Sequence, residues 1–329
     1  MRTMAFFNNK GGVGKTSLVY HLAWMYASNG VSVLAADLDP QANLTSMFLD
    51  EDRLAELWDD GEQTTIFDAL QPLIARKGDI VDPFVERPHA RLGLIPGNLA
   101  LSRFEDLLSE NWTKCLGGEE GAFRVVTAFH RIIVSAAKRV NADLVLIDVG
   151  PNLGAINRSA LIAAEQVVLP LAPDLFSLQG MKNLGPTLRD WRKQWKLRLD
   201  QLPSDAGIDT PQGEMQPAGY VVMQHSVRDS RPVKAYQRWL DRIPGTYREA
   251  VLDRVVAKPP VLEKDPYRLA LLKHYRSLMP LAMDAHKPMF FLKPSDGAIG
   301  AHVEAVRSCY DDFHNLAKRL ADSAGISMS

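Results

Sequence analysis

The feature that most constrains this chain is NNKGGVGKTS, residues 8–17, set between an apolar run and a helical pattern. A glycine-rich turn that follows a strand and opens a helix is a phosphate cradle. Glycine permits the dihedrals that let successive backbone N–H groups converge on oxyanions, and the helix N-terminus adds its partial positive charge. Measured against the phosphate-loop pattern of glycine, four residues, glycine, lysine and serine or threonine, the matches are Gly14, Lys15 and Thr16, with Asn9 at the first glycine position. The strand is expected over Met4 to Phe7 and the helix from near Lys15. The N–H groups of Gly11, Gly12, Val13, Gly14 and Lys15 then face phosphate oxygens. The Lys15 ammonium pairs with the β and γ phosphates and the Thr16 hydroxyl binds Mg²⁺, with Ser17 beside it. Lys10 is surplus to this pattern, since a lone extra loop lysine is usually just solvated.

Apolar runs of strand length recur at Met4 to Asn8, Val31 to Asp37, Leu92 to Pro96, Leu144 to Asp148, Val167 to Leu171 and Tyr220 to Met223. They do not alternate, so both faces are buried, as in a mostly parallel sheet. Helical patterns lie between them, clearest in Ser17 to Ala27, Phe123 to Val140 and Ile156 to Ala164. Strand alternating with helix predicts a doubly wound α/β fold of the phosphate-loop NTPase kind. With 329 residues and 46% hydrophobic composition the chain can bury a large core, and one domain over residues 1–329 is expected, with insertions near 50–63, 202–217 and 258–286.

Lys and Arg total 38 against 39 Asp and Glu, so any polyanion must be met by a local patch and not by net charge. Cys115 and Cys309 are too few for a disulfide framework or a thiolate metal site, and His21, His225 and His274 have no metal-ligand spacing. No apolar run approaches the roughly 20 residues of a membrane span and no signal segment precedes the first strand, so a cytoplasmic location is expected.

The residues KGGVGKT match the deviant Walker A motif of the ParA/MinD family of phosphate-loop ATPases, and the resemblance continues along the chain. VLAADLDPQ, ending at Gln41, resembles the family's first switch, and LVLIDVGPNLG, residues 144–154, its Walker B strand and second switch. LGLIPGNLALSRFEDLL (92–108), LPLAPDLFSLQGM (169–181) and KPMFFLKPSDGAIGA (287–301) resemble later family segments. The likeness is dense to about residue 185 and patchy beyond. It implies ATP and Mg²⁺ as cofactors. It gives Lys10 a reach across an ATP-bound homodimer to the partner subunit's nucleotide, and places nucleotide contacts at Lys10, Gly11, Gly12, Val13, Gly14, Lys15, Thr16 and Ser17. Asp39 then orients the attacking water and joins Thr16 and Asp148 around Mg²⁺, with Asp37 in support. The chain departs from the family at Val149 and Gly150, where Thr-Pro or Cys-Pro is common before the retained Pro151.

Arg189, Arg192, Lys193 and Lys196 fall on one face of a predicted helix, and Arg231, Lys234, Arg238 and Arg242 form a second basic stripe. Clustered cations at such spacing suit a phosphate backbone without base readout. The resemblance implies a ParA-like ATPase that binds nonspecific DNA as an ATP dimer, answers to a ParB-like or other activating protein, and segregates or positions a plasmid, chromosome or other cargo. The rival is a same-fold ATPase, MinD-like or other, that positions a non-DNA cargo or regulates a protein complex. Phe313, Leu316, Ala317 and Leu320 share a face expected to dock on the sheet and not in a bilayer. The phosphate loop begins at residue 9, which leaves no expected room for an N-terminal operator-binding domain.

Overall fold

The structure, a computed structural model, describes residues 1–58, 64–225, 227–228, 231–232, 234–275 and 277–328. Eight strands form one sheet: β1 (Arg2–Phe6), β2 (Val33–Asp37), β3 (Glu86–His89), β4 (Leu92–Ile95), β5 (Leu144–Asp148), β6 (Gln166–Leu171), β7 (Gln216–His225) and β10 (Arg268–Lys273). Between the last two, β8 (Val227–Arg228) and β9 (Arg231–Pro232) pair with each other as a separate ribbon. The sheet order is β10-β7-β6-β1-β5-β2-β4-β3, and every pairing is parallel except that of β3 with β4.

The period of two along each strand sends neighbouring side chains to opposite layers. Ala5, Leu34, Ala36, Val145 and Ile147 join the core under helices Glu105–Lys114, Ala128–Val140, Ala155–Ile162 and Leu175–Leu199. Met4, Phe6, Val33, Ala35, Leu144 and Leu146 join the opposite core under helices Lys15–Ser28 and Ala301–Ala324. Phe313, Leu316, Ala317 and Leu320 of the last helix are buried there, and Tyr26 Oη donates to the Ala317 carbonyl at 2.9 Å. Among the described residues no helix is long and apolar enough to cross a membrane.

Two local departures from expectation have clear causes. The pattern over Phe123 to Val140 is two helices, Glu120–Val126 and Ala128–Val140, broken at Thr127. There the hydroxyl joins the Thr127 amide on the Phe123 carbonyl, at 2.7 and 2.9 Å, while the Arg124 carbonyl accepts from Arg131 Nη2 at 2.6 Å. The 258–286 stretch contributes the edge strand β10, whose half-buried pattern dilutes the apolar signal of a central strand. The 202–217 segment is irregular up to the start of β7, and residues 59–63 of the 50–63 segment lie outside the described residues.

Register levels the strand ends that carry the chemistry. Phe6 and Asp37 both pair with Asp148, so the loops after β1, β2 and β5 leave the sheet side by side. Ligands in open α/β sheets bind beyond these carboxyl ends.

Candidate functional site

The loop after β1 is shaped by its glycines. Gly12 (φ +73°) and Gly14 (φ +88°) take the left-handed conformation that side-chain-bearing residues avoid, and Gly14 leads directly into the first helix. Asn8 fastens the loop at its base, donating from Nδ2 to the Pro170 carbonyl at 2.6 Å and accepting the Lys10 amide at 3.0 Å. Thr16 and Ser17 occupy the first helical turn, half-buried. His21, one turn further and fully buried, has Nδ1 2.7 Å from the Ser17 carbonyl, so the proton resides there and Nε2 accepts the Met289 amide at 3.1 Å. Phosphate-loop helix and C-terminal segment are thereby joined through one imidazole.

Lys15 turns inward. Its ammonium stands 3.5 Å from Asp148 Oδ1, an ion pair too long to count as a good hydrogen bond. Asp148 is fully buried and neither carboxylate oxygen has a hydrogen-bond partner among the described residues. Burial raises its pKa, aided by the Asp39 charge, while the Lys15 ammonium and the nearby Thr16 hydroxyl oppose that rise. A buried carboxylate that has no short hydrogen bond, lies between the Lys15 ammonium and the Thr16 hydroxyl and sits beside a glycine-lined loop suits a hard cation and its water shell. Thr16 and Asp148 thus fit Mg²⁺, and Lys15 fits the phosphates.

Asp39 and Asp37 play different parts. Asp39 is 5% exposed, and its Oδ1 accepts the Gln41 amide at 3.0 Å. A β-carbon built on Gly150 would lie 3.3 Å from that same oxygen, so the segment after β5 passes close to Asp39. Asp37 is occupied with the turn after β2. It accepts the Thr45 amide (2.8 Å), the Thr45 hydroxyl (2.7 Å) and the Asp39 amide (3.3 Å), which makes it an anchor of the turn that follows β2. Burial, then the Asp148 charge, pushes its pKa up to about 7 against the Thr45 donations.

Lys10 has a partner that spacing could not supply. Its ammonium pairs with Asp174 Oδ2, while Asp174 Oδ1 caps the helix Leu175–Leu199 by accepting the Ser177 amide at 2.8 Å. Asp174 lies in the stretch LPLAPDLFSLQGM, where an aspartate ahead of a helical pattern is a recognisable N-cap. Its ion pair with Lys10 is a tertiary fact.

The first basic stripe is corrected. Arg189 donates to the Ala250 and Val251 carbonyls, at 2.6 and 3.3 Å, and Arg192 to those of Glu214 and Met215, at 2.7 and 2.9 Å. Both guanidiniums are half-buried structural ties, because the helix packs Leu188, Trp191 and Trp195 inward and draws its flanks against neighbouring backbone. Lys193 and Lys196 remain exposed. In the second stripe Arg238 and Arg242 are exposed and lie 4.4 and 5.7 Å from the Trp239 ring, and the side chains of Arg231 and Lys234 lie outside the described residues.

A family described as an AAA domain matches residues 1–201. Protein IncC of Escherichia coli is 27% identical over 265 residues, 79% of this chain and 63% of IncC. The cell division protein PomZ of Myxococcus xanthus is 30% identical over 203 residues, 61% of this chain and 56% of PomZ. The chromosome partitioning protein ParA of Caulobacter vibrioides is 30% identical over 203 residues, 61% of this chain and 67% of ParA. The chain thus spans less than two thirds of the length of IncC and of PomZ. Among solved structures, protein DIP2308 of Corynebacterium diphtheriae superposes with a TM-score of 0.73 at 25% identity, covering 98% of both chains. A complex of a Cyanothece McdA variant with ATP does so with a TM-score of 0.61 at 16% identity, covering 100% of this chain and 98% of that one. The chain belongs to the ParA/MinD family of phosphate-loop ATPases.

Proposed function

We propose that this chain hydrolyses ATP, dimerises around it, and in that state binds duplex DNA without sequence preference to segregate or position a cargo. The observation that carries the reading is the buried Asp148 carboxylate, with Lys15 as its counter-charge and no short hydrogen bond, at the mouth of a glycine cradle with Asp39 nearby. Lys10, Gly11, Gly12, Val13, Gly14, Lys15, Thr16 and Ser17 hold the nucleotide. Thr16 and Asp148 hold Mg²⁺, with Asp39 next to them, and a bound Mg²⁺ supplies charge neutralisation on the triphosphate. Phosphoryl transfer otherwise asks the protein for positioning: Lys15 fixes the phosphates and Asp39 orients the attacking water.

The relatives named for chromosome partitioning and cell division support a partition or positioning role, and the ATP bound by the Cyanothece McdA variant supports ATP as the nucleotide. Lys10 serves the partner's nucleotide once it leaves Asp174, and a ParB-like or other protein stimulates turnover. The exposed Lys193, Lys196 and Arg238 provide the DNA contacts, with Arg189 and Arg192 holding their helix in place. One observation favours the second reading, in which the same ATPase positions a non-DNA cargo: engagement of Arg189 and Arg192 with carbonyls thins the cationic face.

Phosphate release and light scattering, each with ATP and with ADP, test the enzymatic half. Turnover with an ATP-dependent doubling of mass is expected. A monomer in both nucleotides with no phosphate release refutes it.

A further inference from the structure

The segment between β5 and helix Ala155–Ile162 carries Val149 and Gly150, and it is fastened at two points. Asn157, buried in that helix, reaches back across the loop. Its Oδ1 accepts the Gly150 amide at 3.2 Å, and its Nδ2 donates to the carbonyls of Gly150 at 2.8 Å and Asn152 at 2.6 Å. Glu105, on helix Glu105–Lys114, covers the helix start. Its two carboxylate oxygens accept the amides of Ala155 and Ile156 at 2.5 and 2.9 Å, a charge-assisted cap supplied from another element. The cap needs Gly154, because a β-carbon there would lie 2.6 Å from Glu105 Oε1. A second link keeps the two helices together: the Arg158 guanidinium lies 4.2 Å above the Trp112 ring.

The chain of contacts runs from Glu105 through the helix start to Asn157 and from Asn157 to Gly150, whose missing β-carbon would point at the Asp39 carboxylate. We propose that Glu105 and Asn157 are positioning residues that hold the 149–154 segment against Asp39 and thereby set the rate of hydrolysis while leaving nucleotide affinity alone. The proposal rests on the assignment of Asp39 to the hydrolytic step. Both side chains spend their hydrogen bonds on the 150–156 backbone and its neighbours, away from Lys15, Thr16 and the loop glycines, so the ground-state hold on the phosphates does not depend on them. A misplacement of about 1 Å in the water-orienting group is enough to slow such a step roughly a hundredfold.

The test uses the full chain with Glu105→Ala, Glu105→Gln and Asn157→Ala. It reads ATP affinity, single-turnover hydrolysis and amide exchange over residues 149–156. Affinity within about twofold of wild type is expected, with hydrolysis slowed about tenfold or more in the two alanine variants. Glu105→Gln recovers part of the rate, since its one amide oxygen still accepts one of the two N–H groups. Exchange at Gly150 accelerates in Asn157→Ala. Wild-type hydrolysis rates in the alanine variants overturn the proposal, as does a parallel loss of affinity and rate, which marks a merely structural role. If the wild-type chain itself does not turn ATP over, the hydrolytic reading fails and the proposal with it. That failure is told apart from a failed clamp because exchange at Gly150 still responds to Asn157→Ala.

Discussion

Lys15 and Asp148 meet 3.5 Å apart with side chains 8% and 0% exposed, so the cation that faces the phosphates is also the counter-charge of the buried carboxylate. Lys15→Ala removes both services at once. The variant is predicted to lose ATP binding by at least about a hundredfold, because Lys10, the other loop cation, is turned toward Asp174 and charge-assisted contacts to phosphate dominate such sites. Titration calorimetry showing wild-type affinity refutes the phosphate-loop assignment.

Asp39→Ala is predicted to keep ATP affinity within a few-fold while hydrolysing it about a hundredfold more slowly, since water orientation and not nucleotide binding is lost. The ATP dimer should persist longer. Normal phosphate release from this variant makes Asp39 a structural residue only.

Lys10 is held within its own chain by Asp174, so dimerisation through Lys10 must compete with that pair. Lys10→Ala should leave single-chain ATP affinity nearly intact and weaken ATP-dependent dimerisation. Asp174→Asn keeps a good helix cap but weakens the hold on Lys10, and should tighten dimerisation. Sedimentation equilibrium giving wild-type constants for both variants contradicts this role.

His21 gives the fold a pH signature. Burial lowers its pKa to about 4 from 6.5, with the Ser17 carbonyl opposing. The unfolded chain therefore takes up the proton first. The stability that neutral His21 contributes is fully present above pH 6.5 and is lost as pH falls toward 4. The size is at most about 3 kcal/mol. Asp37, whose pKa is raised, acts in the opposite sense over an overlapping range, so the informative quantity is wild type minus His21→Gln. Asp265 stays out of this window. Burial would raise it, but bonds from Arg248, Tyr220 and the Tyr267 amide hold it below the ordinary carboxylate range. The stability difference should shrink from pH 7 to pH 4.5 in chemical denaturation; a constant difference refutes the linkage.

The strand, glycine turn and helix around residues 8–17 were legible because the pattern is local: Gly14, Lys15 and Thr16 are adjacent, and strand and helix flank them in order. The buried strand β5 was legible to the residue, since a strand covered on both faces writes itself as an unbroken apolar run. What spacing could not reveal is where a side chain ends up. Arg189 and Arg192 sit at helical spacing with Lys193 and Lys196, yet the two arginines are spent on carbonyls of distant segments. The pairing of Lys10 with Asp174 and the capping of Ala155 by Glu105 join residues far apart in sequence. Edge strands β3 and β10 escaped because Glu86, Arg87 and Pro88 in the one, and half-burial in the other, blur the strand pattern.

Salt-dependent binding to random duplex DNA, measured with ATP and with ADP, bears most directly on the central claim. With ATP, log K should fall linearly with log salt at about 0.9 per phosphate contact, more steeply than with ADP because a dimer presents two faces. Lys193→Glu with Lys196→Glu should flatten the slope and leave DNA-free ATP hydrolysis unchanged. The absence of any salt-dependent affinity for duplex in the ATP state contradicts the DNA-binding switch and leaves the non-DNA cargo in its place.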